Sequence, residues 1–139
     1  MWQNFFDKPK KHYNPYMERM KEYPFYIHWD KELINNTKGK WNEFFGNNND
    51  IYLEIGSGQG NFTVGNALKY RDRNFIGIEL KFKRLHMSAV KANKRSLKNI
   101  TLISESGFLE KKDLDFAIEM NVSGVLVGEA LMKGKIYGE

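Results

Sequence analysis

The sequence predicts an α/β fold on a mostly parallel sheet of about four strands, and three observations carry that prediction. Short apolar runs stand at residues 51–55, 75–80, 100–103 and 124–127. Patterns of helical period fill 61–70, 81–98 and 111–120 between them. The first run closes on a glycine-rich turn, Gly56-Ser57-Gly58-Gln59-Gly60. Strands separated by helical stretches of about ten residues or more are joined by right-handed crossovers, which leave them parallel.

In chain order, residues 1–49 read as an aromatic and basic N-terminal arm in which Pro9, Pro15 and Pro24 interrupt any long helix. Asn14-Pro15 can start a short helix over 16–22, and 29–36 predicts another. The run Gly-Asn-Asn-Asn-Asp over 46–50 is the most credible boundary, so the α/β domain is expected over 50–139. In the helix predicted over 81–98, Phe82, Leu85, Ala89 and Ala92 share one arc, the face expected to pack. Arg84, Lys91, Arg95 and Lys98 fall in a stripe on nearly the opposite side, which could follow a phosphate backbone.

A chain of 139 residues suits one domain and is too short for a complete eight-stranded α/β barrel. It has no cysteine, which excludes disulfides and thiolate metal sites. His12, His28 and His86 are too scattered for a metal centre, so no metal is expected. No apolar run approaches a membrane span and the N-terminus has no signal-like apolar region, so a soluble, cytoplasmic protein is expected. Residues 51–100 hold 10 basic and 3 acidic side chains, whereas 101–139 hold 4 and 7. The basic middle suggests a polyanionic partner.

The segment Leu53-Glu54-Ile55-Gly56-Ser57-Gly58-Gln59-Gly60 carries the chemistry. Glycines let the backbone turn sharply and approach a ligand closely. The spacing is G-x-G-x-G, with Asn61 where a nicotinamide-binding turn needs its last glycine, and no Gly-Lys-Ser/Thr follows as a P-loop requires. Glu54 would repel a phosphate but can accept from an ammonium group. Glu79 stands at the tip of the second predicted strand, 19 residues after Gly60, where a carboxylate grips a ribose diol.

With these residues in place, 52–60, 74–84 and 98–100 resemble the tRNA (guanine-N7-)-methyltransferase family, with its Leu-Glu-Ile-Gly-x-Gly-x-Gly turn and Gly-Ile-Glu second strand. The match covers about residues 1–100, since Asn14-Pro15-Tyr16 and 26–29 resemble the arm of some members. The resemblance implies a Rossmann-like methyltransferase half over 50–100 that binds S-adenosylmethionine. Glu54, Gly56, Ser57, Gly58, Gly60 and Glu79 would be its cofactor contacts. The implied reaction is methylation of guanine N7 in tRNA, and the basic stripe Arg84, Lys91, Arg95 and Lys98 is read as the RNA contact.

Two features depart from the family. Its acid after the third strand would fall near Ser106, and no Asp-Pro-Trp-type segment for the guanine pocket occurs, so impaired activity is expected. Residues 101–139 instead resemble the last two βα units of the TIM barrel of indole-3-glycerol-phosphate synthase, through Ser104-Glu105-Ser106-Gly107 and Val127-Gly128-Glu129. That resemblance implies a phosphate site at Glu105, Ser106, Gly107 and Gly128, and offers a synthase fragment as the alternative function. The charge reversal near residue 100 fits a hybrid joined within the third strand.

Overall fold

The computed structural model describes residues 14–28, 36–37, 39–104 and 123–127. The helix expected over 111–120, most of that over 29–36, and His12, Glu105, Ser106, Gly107 and Gly128 lie outside these residues.

Helix α1 (Pro15–Met20) begins where Asn14 caps it, its side-chain oxygen accepting from Tyr16 N–H at 2.9 Å, with Pro15 in the first turn. Strand β1 (Tyr26–His28) and helix α2 (Trp41–Phe45) follow. Gly46, at φ 74°, ends α2 in the left-handed conformation that glycine adopts without strain. Then come β2 (Ile51–Ile55), α3 (Asn61–Lys69), β3 (Asn74–Glu79), α4 (Phe82–Lys94), β4 (Ile100–Ser104) and β5 (Gly124–Val127).

Among the described residues the strands form one parallel sheet in the order β1-β4-β3-β2-β5. The chain runs outward from β2 through β3 to β4, then returns to place β5 on the far side of β2. This reversal is the topological switch point of doubly wound sheets, at whose carboxyl edge ligands settle. Tail units added as in a barrel would seat β5 beside its predecessor β4. Instead β5 pairs with β2, Leu53 opposite Val125, and the barrel-like completion expected of the tail gives way to a doubly wound order.

Part of the segment read as an arm also belongs to the sheet: β1 pairs with β4, Tyr26 opposite Leu102. Val64 and Ala67 of α3, Leu85, Ala89 and Ala92 of α4, and Met20 of α1 bury one sheet face together with Phe75, Ile100 and Leu102. His86 packs its ring against Tyr16 and Tyr23, tying α4 to α1 and its following turn, and burial lowers its pKa. Helix α4 stops four residues short of its expected end. Ser96 turns left-handed at φ 51°, and Leu97 and Asn99 are carried into the interior. Asn99 Nδ2 donates to the carbonyls of Ala67, Tyr70 and Arg73 at 2.9, 3.1 and 2.9 Å, tying the start of β4 to the end of α3.

Candidate functional site

Residues 56–60 link β2 to α3 at the carboxyl edge of the sheet. Gly56, Gly58 and Gly60 all have positive φ, at 77°, 58° and 80°, a region costly for residues with a β-carbon. Space adds a second requirement at Gly60. A Cβ there would stand 2.8 Å from Ser88 Cβ and closer still to Ser88 Oγ, so α4 could not pack as it does. At Gly58 a Cβ would meet nothing within 4 Å among the described residues, which leave that side of the turn open to a ligand.

The turn is fixed from the β3 side. Gly56 N–H and Ser57 N–H both donate to Ile78 C=O, at 2.7 and 2.9 Å. Gly58 N–H donates to Glu79 Oε1 at 2.8 Å, and Lys81 N–H to Glu79 Oε2 at 2.9 Å. Each Glu79 oxygen thereby accepts one backbone hydrogen, and a carboxylate has about four acceptor positions. Two remain for hydroxyl donors. Glu79 is buried at 6% exposure, so the negative charge is held in place by the backbone.

Glu54 lies at the same edge, buried at 8% exposure, and accepts from Thr63 Oγ1 in the first turn of α3. Burial pushes its pKa above the ordinary carboxylate value; the Thr63 bond opposes that shift, and the Glu79 charge adds to it. A cation brought beside Glu54 would relieve this unfavourable ionisation. Ser57 Oγ is buried without a hydrogen-bond partner among the described residues, a donor and acceptor left for another group. Glu54 and Thr63 also line a cavity of about 340 Å³, walled by Phe62, Tyr70, Arg73 and Leu126. A buried carboxylate short of a cation, a second carboxylate with free acceptor positions, an open glycine and an orphaned hydroxyl fit an amino-acid-bearing nucleoside. Among the described residues no cluster of His, Cys, Asp and Glu suits a metal.

Glu54, Gly56, Ser57, Gly58, Gly60 and Glu79 are therefore brought to one edge, as the sequence implies. The basic residues are not kept together on one helix. Arg84 and Lys91 sit on α4, Arg95 caps its end, and Lys98 follows the left-handed turn, so the stripe breaks at Ser96. Arg84, Arg95 and Lys98 are exposed. Lys91 is half-buried and turns to the glycine turn: Nζ donates to Gln59 C=O at 3.1 Å and Asn61 Oδ1 at 2.7 Å. Sequence reasoning missed Thr63 and Ser88. Thr63 at the third position of a helix that follows a turn was the available signal, since that position faces back towards the strand end.

A family profile described as a putative methyltransferase matches residues 48–118, a span that crosses the junction expected near residue 100. A bifunctional glycosyltransferase/methyltransferase of Fusobacterium nucleatum subsp. nucleatum is 43% identical over 107 residues, or 77% of this chain and 17% of that protein. A tRNA (guanine-N(7)-)-methyltransferase of Oenococcus oeni is 47% identical over 72 residues, or 50% of this chain and 33% of that protein. The chain thus spans a third or less of the length of these relatives. A solved RNA methyltransferase from Salinibacter ruber, in complex with S-adenosyl-L-homocysteine, aligns over 73% of this chain and 60% of its own at 16% identity and TM-score 0.44.

Proposed function

This chain belongs to the putative methyltransferase family that matches residues 48–118, and on that premise we propose that its glycine turn binds S-adenosylmethionine for methyl transfer to guanine N7 of tRNA. The observation that carries the reading is the tie between the turn and Glu79 at the point where the sheet reverses. Glu79 would accept from the ribose hydroxyls with its remaining lone pairs. Glu54 would face the ammonium of the methionine end, and Ser57 Oγ would find a partner in the bound molecule. The cofactor supplies a methyl group on a sulfonium centre. Guanine N7 already offers a free lone pair, so the protein's part is chiefly to position the two.

The relatives named as tRNA (guanine-N(7)-)-methyltransferases support the choice of acceptor. Arg84, Arg95 and Lys98 would contact RNA phosphates; Lys91 serves the turn in the free chain. The phosphate site implied at Glu105, Ser106, Gly107 and Gly128 falls outside the described residues. Two experiments test the reading. Calorimetric titration with adenosylhomocysteine is expected to give one site per chain, and absence of binding would overturn the cofactor assignment. Mapping any radiolabelled methyl group transferred to unmodified tRNA tests the acceptor: label at an atom other than guanine N7 would overturn that part.

A further inference from the structure

Helix α4 reaches the glycine turn with two side chains one helical turn apart. Ser88 Oγ donates to Gly58 C=O at 3.1 Å, and Lys91 Nζ donates to the next carbonyl, Gln59 C=O, at 3.1 Å. The same ammonium bonds Asn61 Oδ1 at 2.7 Å, and Asn61 is the first residue of α3. Residues three apart on a helix lie on one face, so Ser88 and Lys91 act as a two-point contact. Their approach requires Gly60, whose missing side chain is the space Ser88 occupies.

The contact sets the direction of two peptide planes. In a trans peptide the N–H and C=O point opposite ways. With Gly58 C=O drawn down to α4, Gln59 N–H is turned away from that helix. We propose that Ser88 and Lys91 are positioning residues that hold the glycine turn in its cofactor-binding shape. Neither need touch the cofactor. The proposal rests on the reading of 56–60 as the S-adenosylmethionine turn, and it takes Lys91 out of the phosphate-binding stripe in which its charge first placed it.

The test uses the full chain and the variants Lys91→Met, Lys91→Arg and Ser88→Ala, with Lys94→Gln as the exposed control. Amide hydrogen exchange at Gly58 and Gly60, whose N–H groups donate to Glu79 Oε1 and Ser57 C=O at 2.8 and 3.0 Å, reads the shape of the turn in the free protein without any ligand. Calorimetry with adenosylhomocysteine reads its use. In Lys91→Met, loss of a charge-assisted bond should speed exchange at these amides about tenfold and weaken affinity by a similar factor. Lys91→Arg should recover both to within about threefold, and Ser88→Ala, losing a neutral bond, should fall between. Global stability should fall by no more than the lost bond, and the Lys94→Gln control should move none of these readings. Exchange and affinity in Lys91→Met within twofold of the unaltered chain would overturn the proposal. Should the unaltered chain fail to bind adenosylhomocysteine, the cofactor reading falls, and exchange alone decides whether α4 holds the turn.

Discussion

Glu79 Oε1 accepts from Gly58 N–H at 2.8 Å, so the last side chain of β3 holds the turn that ends β2. Its second oxygen receives Lys81 N–H at 2.9 Å, just before α4 begins. One buried carboxylate therefore fixes two loops at the carboxyl edge. Replacing Glu79 by Ala leaves both N–H groups without their acceptor and should lower stability by about 1–3 kcal/mol. Glu79→Gln, which keeps one acceptor oxygen, should lose less. Urea denaturation of both variants measures the difference.

Gly58 and Gly60 separate backbone strain from crowding. Both have positive φ, but only at Gly60 would a β-carbon strike α4. Gly58→Ala should cost about 1–2 kcal/mol from the left-handed backbone alone. Gly60→Ala should cost a further 1–3 kcal/mol, roughly, because Ser88 and its helix must shift. Equal midpoints for the two variants in denaturant titration would show that α4 does not press on the turn.

Glu54 makes the free protein and the complex respond to pH in opposite senses. Its pKa is raised in the fold, chiefly by burial, so the native state holds a proton that the unfolded chain has released. Stability of the free chain should fall as pH rises from the ordinary carboxylate value through the raised one. An ammonium group bound beside Glu54, as proposed, would favour its ionised form, so affinity for adenosylhomocysteine should rise across the same window. Glu54→Gln should flatten both trends, with stability measured by thermal melts and affinity by calorimetry at several pH values.

RNA binding should weaken steeply with salt. Three phosphate contacts by Arg84, Arg95 and Lys98 correspond to a log–log slope of about −2 for single-stranded regions. Changing Arg95 and Lys98 to Gln should leave a slope of about −0.7. A slope unmoved by that double change would return these residues to the solvated surface.

Strands β2 and β5 were legible to the residue because compact apolar runs are bounded by turn-forming neighbours. β3 begins one residue earlier than its apolar run, at Asn74, which is fully buried. Its side-chain amide donates to Asn47 Oδ1 at 2.7 Å, a partner 27 residues away that no local pattern reveals. β1 was missed because it is only three residues long and pairs with a strand more than seventy residues later. The early end of α4 was hidden because Ser96, not glycine, takes the left-handed position. At the carboxyl edge, the glycines are dictated by what a left-handed turn requires, so their spacing located the turn in the sequence. The role of Lys91 depends on how closely α4 packs over Gly60, a tertiary relationship that charge periodicity cannot express.

A calorimetric comparison decides whether the turn at 56–60 and Glu79 form the proposed S-adenosylmethionine site. Adenosylhomocysteine is titrated into the unaltered chain and into Glu79→Ala at neutral pH, with folding of the variant verified by circular dichroism. One site per unaltered chain is expected, with a loss of about tenfold or more in the variant, the worth of a charge-assisted hydrogen bond. Equal affinity in the two chains, or no binding to the unaltered one, would contradict that assignment.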